Sequence, residues 1–287
     1  MHTNEARDDT HRALINTIRT GPGLESLLSR GDQRRLVREV SEWYLDSHGR
    51  ATHNGSCVVV TAGPPGAGKS SLLTSAIPDV ADRLVIDPDI AKAYLAQWCV
   101  NHDLYGELLS TGLPDGGTIK QLELSPLLQT MSTESCNTVR RLALAAHTDV
   151  VVETTMASPA FGERLLLSLA KADYDKLVIV SVEVDRDTAQ SRAVDRWWQG
   201  RQENLDQGGR LVLPETIEAA YPPDGRSSLC RQNARALVNT IRAGGTVIDT
   251  VTIAEYDDRA LTRLDADRPR TVGQPSPPTP GDGTQHQ

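Results

Sequence analysis

The sequence predicts an α/β fold in which helices cover both faces of a mostly parallel sheet, and three observations support it. Short runs of β-branched and aliphatic residues alternate along the chain with longer helical patterns. A glycine-rich segment joins the first of these runs to a helix. The core has to be mostly aliphatic, because aromatic residues make up 4% of the chain and Phe161 is the single phenylalanine. Right-handed crossovers through the helices would make neighbouring strands parallel.

The glycine-rich segment follows the apolar run CVVVTA, residues 57–62, and precedes a helix predicted from Ser70. From Gly63 it has the sequence GPPGAGKS, which fills every fixed position of the phosphate-binding pattern G-x-x-x-x-G-K-[ST]. Glycines let the backbone curl so that several N–H groups converge on a phosphate, and the helix N-terminus adds positive charge. A turn that binds nothing is the alternative, which the complete pattern disfavours. The sequence therefore predicts a three-layer fold of the P-loop NTPase type that binds ATP or GTP.

The same pattern assigns two specific roles. Lys69 would reach the β- and γ-phosphates of the nucleotide, and the Ser70 hydroxyl would ligate Mg²⁺. The residues predicted to bind the nucleotide are Gly63, Pro64, Pro65, Gly66, Ala67, Gly68, Lys69, Ser70 and Ser71.

Composition and charge restrict the classes of partner. The net charge of −8 argues against nucleic acid, because phosphate backbones attract basic surfaces. No apolar run approaches ~20 residues, so we expect no segment that spans a membrane. The four cysteines form no CxxC pair, which indicates reduced thiols, and the polar N-terminus is unlike a secretory signal. These features predict a soluble, cytoplasmic protein.

Three regions are predicted along the chain. Residues 1–54 form a helical N-terminal extension, whose apolar faces favour packing on the core over a partner-binding role. Residues 55–267 form the P-loop domain, and residues 268–287, rich in proline and glycine, form a disordered tail. Within the domain, the strands after the first are predicted over 83–87, 149–154, 176–184 and 246–253, and a mobile loop over 200–213.

Acidic residues follow two of the predicted strands, at the sheet edge where ligands bind in this class of fold. Asp87 and Asp89 can take a proton from an attacking hydroxyl or hold the shell of a magnesium ion, or they can merely turn the chain and cap the next helix. Glu153 would lie on Mg²⁺ or its water, or at a solvated strand end. The strand position alone leaves these alternatives open.

Arginines are concentrated after the fourth predicted strand. Arg192 and Arg196 lie on the helix that follows, and Arg201 and Arg210 lie in the loop after it. Guanidinium groups stabilise the charge that builds on a phosphate during transfer, because their donors are fixed in a fork. A solvated helix face is the alternative for each arginine. The pair Trp197–Trp198 can stack on a nucleotide base, but adjacent helix residues more often pack in the core and at its rim.

Four segments resemble the zeta-toxin family of P-loop kinases: GPPGAGKS at 63–70, IDPDIAK at 86–92, VVVETT at 150–155, and the region from 177 to about 221. The resemblance covers residues 55–253. It implies transfer of phosphate from ATP or GTP, with Mg²⁺, to the 3′-hydroxyl of UDP-N-acetylglucosamine or a related UDP-amino sugar. It also implies a toxin that an antitoxin protein holds inactive, as in many members of the family.

The resemblance implies roles for the residues in the matching motifs. Asp89, the second acid of IDPD, is implied as the general base, and Lys92 as its basic companion at the substrate site. Glu153 matches the strand-end acid, with Thr155 beside it at the substrate. Lys69 joins Asp89 and Glu153 as a catalytic residue.

Arg196 and Arg210 match the two catalytic arginines of the family. The spacing to Arg210 is one residue longer than the family alignment, so Arg201 stays in reserve. Thr154 stands where the family has a small glycine, which reshapes the floor of the pocket. Glu134, in a stretch that matches the family poorly, is implied as an acid that contacts the substrate.

Two other functions stay open from the sequence. A P-loop kinase with the same chemistry can act on another hydroxyl acceptor, such as an antibiotic or a nucleoside. A nucleotide-dependent switch or ATPase would convert turnover into a conformational change or a partner contact. The dedicated acid after the second strand, Asp89, favours a kinase over a switch, which needs a water-positioning glutamine and switch loops.

Overall fold

The computed structural model describes a five-stranded sheet packed between helices. It covers residues 2–49, 56–77, 79–223, 225, 227–244 and 246–258. The tail predicted over 268–287 and the domain boundary predicted between residues 54 and 55 lie outside these described residues.

All strand pairings in the described sheet are parallel, and the strand order is β2-β3-β1-β4-β5. The strands are β1 (Cys57–Ala62), β2 (Leu84–Ile86), β3 (Val150–Val152), β4 (Lys176–Val182) and β5 (Thr250–Tyr256). Because the strands are parallel, their carboxyl ends all lie at one edge, and β1, which leads into the phosphate loop, is central. The α/β fold class predicted from the sequence is confirmed.

Helices connect the strands and precede the sheet. They are α1 (His2–Thr20), α2 (Leu24–Leu27), α3 (Arg30–His48), α4 (Lys69–Ala76), α5 (Pro88–Asn101), α6 (Gly106–Leu109), α7 (Gln129–Ala145), α8 (Pro159–Lys171), α9 (Arg186–Glu203), α10 (Pro214–Glu218) and α11 (Leu229–Arg242), with short 3₁₀ helices at Val80–Asp82 and Gln121–Leu128. Among the described helices, none is long and apolar enough to cross a membrane.

The valines of β1 show why the sheet needs helices on both faces. Val58 and Val60 pack in one hydrophobic cluster with side chains of α3, α5 and α7. Val59 packs in a separate cluster with Leu73 of α4 and with Ile77. Successive side chains of a strand point to opposite faces, so an unbroken apolar run is buried only when both faces are covered.

The N-terminal helices are built into the larger of these two clusters. Leu14 and Ile18 of α1, and Leu36, Val40 and Tyr44 of α3, are buried together with residues of the sheet. Helix α3 packs against α7 and α5, which lie next to the sheet. These helices therefore contribute to the same core as the phosphate-binding unit.

Several predicted element boundaries were wrong. Strands β2, β3 and β4 are each shorter than predicted by one or two residues at one or both ends, and two elements differ more. Strand β5 begins at Thr250 instead of residue 246 and ends at Tyr256 instead of residue 253. It is an edge strand whose residues are half-buried or exposed, so its sequence TVTIAEY lacks a clear apolar run. Helix α9 extends to Glu203, into the segment predicted as a mobile loop over 200–213.

A buried ion-pair network explains why the chain around residue 200 is ordered. The guanidinium of Arg201 lies 2.7 Å from Asp115 and 2.9 Å from Glu123, and it also donates to the Thr118 carbonyl. Glu123 is fully buried and accepts a further bond from the Trp197 indole at 2.9 Å. Burial raises the pKa of Glu123, while the charge of Arg201 opposes this effect. The network ties the end of α9 to the segment around residues 115–123.

Breaking this network tests its contribution to stability. We expect Arg201→Ala to lower the free energy of unfolding by ~3–5 kcal/mol, because the Glu123 carboxylate stays buried without its partner. The control is Arg12→Ala, which removes an exposed arginine paired with Asp9 and should change little. Urea denaturation measures both. Similar stabilities of the two variants would contradict the role given to the network.

Candidate active site

A cleft of about 990 Å³ opens at the carboxyl edge of the sheet. Its walls are formed by the phosphate loop, the start of α5, the end of β3, one face of α7 and one face of α9. Residues 211–213, between α9 and α10, close one side. The segments that follow β1, β2 and β3 therefore meet at this cleft.

The phosphate loop has the backbone that its glycines predict. Gly66 and Gly68 have φ angles of 82° and 83°, a region that residues with side chains disfavour. A Cβ atom at Gly66 would collide with the Ala189 carbonyl oxygen, because α9 lies directly against the loop. Gly68 is the N-cap of α4, so the free N–H groups of that helix lie at the loop. A loop and a helix N-terminus arranged in this way bind anions.

Lys69 folds back over this loop. Its Nζ atom donates hydrogen bonds to the carbonyl oxygens of Gly63 at 2.9 Å and Pro64 at 3.0 Å. Burial lowers the pKa of Lys69, whereas the nearby Glu153 raises it. The ammonium group is thus held at the loop by acceptors that a phosphate oxygen can replace.

Ser70 and Glu153 meet at the floor of the cleft. The Ser70 hydroxyl donates to Glu153 Oε2 at 2.7 Å. Burial and the neighbouring charge of Asp87 raise the pKa of Glu153 to about 7, although the bond from Ser70 opposes the shift. Glu153 is therefore close to half ionised near neutral pH, unlike an acid at a solvated strand end.

The two aspartates after β2 have different surroundings. Asp87 is the N-cap of α5, and its Oδ1 accepts a hydrogen bond from the Asp89 amide at 2.8 Å. Burial and the charge of Asp89 raise the pKa of Asp87. Asp89 faces Arg210, whose Nη1 lies 3.2 Å from Oδ2, and Lys92, whose Nζ lies 3.7 Å from Oδ1. Burial raises the pKa of Asp89, but these two cations, together with Arg196 and Lys69, outweigh burial and hold the pKa below its usual value. Asp87 thus caps the helix, and Asp89 presents an ionised carboxylate.

The structure brings together three of the four arginines considered from the sequence. Arg196 on α9 is exposed and lines the cleft, and its charge acts on both Asp89 and Lys69. Arg192 also lines the cleft and pairs with Asp258 at 2.6 Å. Arg210 approaches from the segment after α9 through its bond to Asp89. Arg201 lies in the buried network instead, so it does not serve as the reserve catalytic arginine.

The two tryptophans on α9 belong to the core and not to a base-binding surface. Trp197 is fully buried and hydrogen-bonded to Glu123. Trp198 is partly buried and packs against the larger hydrophobic cluster. The packing alternative considered from the sequence thus accounts for both.

Of two residues predicted to contact the substrate, Thr155 lies in the cleft and Glu134 lies outside it. Thr155 lines the cleft, and its carbonyl accepts a hydrogen bond from the Gly63 amide at 3.1 Å, which joins the end of β3 to the phosphate loop. Glu134 is exposed on α7, and the neighbouring Thr133 and Asn137 line the cleft in its place. The structure therefore does not bring Glu134 into the site. Thr154 lines the cleft where the family pattern has glycine.

Sequence reasoning missed a second group of cations. Arg140 on α7 and Arg164 on α8 both line the cleft, and the Arg140 guanidinium lies 5.6 Å from the centre of the Phe161 ring. Burial and the charge of Arg164 lower the pKa of Arg140. In the described part of the chain, no carboxylate forms an ion pair with either arginine. The helical spacing of Thr133, Asn137 and Arg140 would have indicated a polar face of α7 directed into a site.

Comparison with known proteins supports the fold. A structure from the PezAT chromosomal toxin–antitoxin system of Streptococcus pneumoniae is similar, with a TM-score of 0.52 and 12% identity over 77% of this chain and 76% of that chain. At this identity the similarity shows the fold alone.

Two further solved structures that resemble this chain have TM-scores below 0.5. One is the AvrRxo1-ORF1:-ORF2 complex, with a TM-score of 0.48 and 12% identity over 79% of this chain and 63% of that chain. The other is a putative kinase from Chloroflexus aurantiacus, with a TM-score of 0.41 and 13% identity over 74% of this chain and 95% of that chain. No curated protein matches the sequence significantly.

A family model described as Zeta toxin matches residues 51–260, which is more than half of the chain. This range includes the phosphate loop, both strand-end acids and the arginines of α9. The chain therefore belongs to the Zeta toxin family, as its sequence motifs indicated.

Proposed function

We propose that this protein transfers the γ-phosphate of ATP or GTP to the 3′-hydroxyl of a UDP-amino sugar, with UDP-N-acetylglucosamine as the first candidate. The observation that carries the proposal is the placement of an ionised carboxylate, Asp89, in one cleft with the phosphate loop and Lys69. A phosphate donor site and a base for an acceptor hydroxyl are the two parts that a kinase requires. Membership of the Zeta toxin family supports the choice of acceptor.

At the donor end, the loop amides and the N-terminus of α4 would bind the phosphates. Lys69 would exchange its hydrogen bonds to the Gly63 and Pro64 carbonyls for bonds to phosphate oxygens. Arg196 and Arg210 would stabilise the charge that develops on the transferred group, because Arg196 lines the cleft and Arg210 is bonded to Asp89.

At the acceptor end, Asp89 would act as the general base. Its lowered pKa keeps it ionised at neutral pH, so one of its oxygens can accept the proton of the acceptor hydroxyl. The hydroxyl oxygen forms a bond to the γ-phosphorus while the bond from that phosphorus to the β–γ bridging oxygen breaks. The nucleoside diphosphate leaves with the bonding electron pair.

The residues around Ser70 fit a magnesium ion. The Ser70 hydroxyl and the Glu153 carboxylate are oxygen donors 2.7 Å apart, and Mg²⁺ prefers oxygen ligands. Among the described residues, no cluster of three or more His, Cys, Asp or Glu side chains could hold a metal, which suits an ion that keeps water and phosphate ligands. When bound, magnesium supplies positive charge that neutralises the phosphates.

Arg140 and Arg164 favour an anionic acceptor. Two like charges in one cleft, without ion-pair partners in the described chain, are stabilised by a ligand that brings negative charge. The diphosphate of a nucleotide sugar supplies this charge. A cationic antibiotic would be repelled, and a neutral nucleoside would leave both arginines unpaired.

The biological setting is also part of the proposal. We place the reaction in the cytoplasm, where nucleoside triphosphates are available, and we infer that an antitoxin protein controls it. The support is the Zeta toxin family and the toxin–antitoxin origin of the similar Streptococcus pneumoniae structure.

The base assignment is tested by Asp89→Asn in an assay of phosphate transfer to a panel of UDP-sugars, with product masses as the readout. We expect nucleotide affinity within twofold of wild type and turnover lowered by ~10²-fold or more, the scale of losing a general base. Glu107→Gln, an exposed acid on α6, is the control and should retain full activity. Undiminished transfer by Asp89→Asn would contradict the assignment.

The acceptor class is tested by Arg140→Ala. We expect the KM for the UDP-sugar to rise ~10-fold or more, as for loss of a hydrogen bond to a charged group, with the KM for ATP unchanged. Arg141→Ala is the matched control, because Arg141 is the adjacent residue of α7 and is exposed outside the cleft. An unchanged KM in the Arg140 variant would argue for an acceptor without charge at this position.

The role of Glu153 is tested by the pH dependence of magnesium–nucleotide binding. With its pKa at about 7, Glu153 is mostly protonated at pH 6 and mostly ionised at pH 8, and only the ionised form favours a cation. We expect the affinity of wild type to rise more steeply between these pH values than the affinity of Glu153→Gln, which lacks the titrating carboxylate and keeps only the pH dependence of groups such as the nucleotide phosphate. The control is binding without magnesium. The same pH dependence in both proteins would exclude Glu153 as its source.

A further inference from the structure

The outer edge of β2 is paired with a tyrosine side chain. Strand β2 is at the end of the described sheet, and its inner edge is bonded to β3 and to the residues flanking that strand. On the outer edge, the Tyr44 hydroxyl donates to the Val85 carbonyl at 2.9 Å and accepts from the Asp87 amide at 2.9 Å. In a parallel sheet, one residue of a strand bonds two residues of the neighbouring strand: the carbonyl of one residue and the amide of the residue two positions further along. The hydroxyl of Tyr44 thus takes the place of a sixth strand at this point.

The position of Tyr44 is fixed by its own surroundings. The side chain is fully buried on α3 and belongs to the larger hydrophobic cluster. Its ring contacts Trp43 edge to face and lies 5.0 Å from the His48 ring. A ring held in this way fixes where its hydroxyl lies, so the bond to the end of β2 depends on α3 and not on local flexibility.

Two hydrogen bonds connect this hydroxyl to the proposed base. The first joins Tyr44 to the Asp87 amide, and the second joins the Asp87 carboxylate to the Asp89 amide at 2.8 Å. Pro88, between them, has no N–H to donate and a fixed φ angle. The direction in which α5 leaves the sheet is therefore set at Asp87, and Asp89 lies in the first turn of that helix.

We infer that Tyr44 is a positioning residue for the phosphate-transfer site: its hydroxyl, on an N-terminal helix, holds the end of β2 so that Asp89 faces the phosphate loop. Tyr44 does not touch the substrate, and it acts through Asp87. The inference rests on the proposed function, because it concerns the alignment of the proposed base. It assigns the N-terminal helices a part in catalysis as well as in the core.

The test is Tyr44→Phe, which keeps the ring and removes only the hydroxyl. Without the hydroxyl, the Val85 carbonyl and the Asp87 amide lose their partner, and the turn that carries Asp89 is free to shift. We expect kcat to fall ~10-fold or more, since small misplacements of a reacting group are costly, while the KM for ATP stays within twofold. Backbone amide exchange at Asp87 should also become faster.

Tyr174→Phe is the matched control. Tyr174 is also fully buried, and its hydroxyl donates to the Thr148 carbonyl at 2.8 Å, at the opposite end of β3 from the cleft. Both variants lose a buried hydroxyl, which makes two hydrogen bonds in Tyr44 and one in Tyr174, and denaturation midpoints check that both fold. We expect Tyr174→Phe to keep its kcat and its exchange rate at Asp87.

The outcomes separate this inference from the proposed function. An unchanged kcat in Tyr44→Phe, or an equal fall in both variants, would overturn the inference while wild-type transfer to the sugar nucleotide leaves the function standing. A wild-type protein that binds ATP but phosphorylates no UDP-sugar contradicts the proposed function, and the inference about its base then fails with it.

Discussion

The arrangement of the site depends on one electrostatic constraint, the collection of opposite charges at the edge of a buried parallel sheet. Three carboxylates, those of Asp87, Asp89 and Glu153, come from the ends of two neighbouring strands, and burial followed by the charge of neighbouring carboxylates raises the pKa of Asp87 and of Glu153. Asp89 alone has two cations in contact, Lys92 and Arg210, and these lower its pKa. The acids that follow adjacent strands therefore have different pKa values. This difference suits Asp89 for accepting a proton and Glu153 for the shell of a metal ion.

The charged edge is kept in place from two sides by elements outside the phosphate-binding motif. On one side, Tyr44 fixes the end of β2 from the N-terminal helices. On the other, Arg201 and Glu123 fix the end of α9, the helix that carries Arg196 and precedes the segment with Arg210. Both devices consist of buried polar groups that are hydrogen-bonded to other groups of the protein, and satisfied buried networks of this kind specify one geometry.

The features predicted from the sequence are those that local patterns encode. The phosphate loop and the valine run of β1 depend on residues that are adjacent in the chain, so the motif predicted their arrangement, whereas the role of Glu153 was left open by its strand position and implied by the family resemblance of the segment VVVETT. Arg140 belongs to a polar face of α7 that the spacing of Thr133, Asn137 and Arg140 encodes, whereas the hydrogen bonds of Tyr44 could not be predicted in this way, because they depend on where α3 packs. The error at Glu134 was of the same kind, since a shift of one residue on α7 decides between solvent and cleft.

The distribution of the site along the chain has a consequence for synthesis. The charged cleft needs residues from Tyr44 to Arg210, and the sheet is complete only when β5 has paired with β4. At ribosomal rates of 5–20 residues per second, the interval between Tyr44 and Tyr256 is roughly 10 to 40 seconds. A nascent chain therefore contains the nucleotide-binding loop well before it contains the arginines that would act on phosphate. Catalytic competence arrives late in translation, and a chain that stops early lacks it.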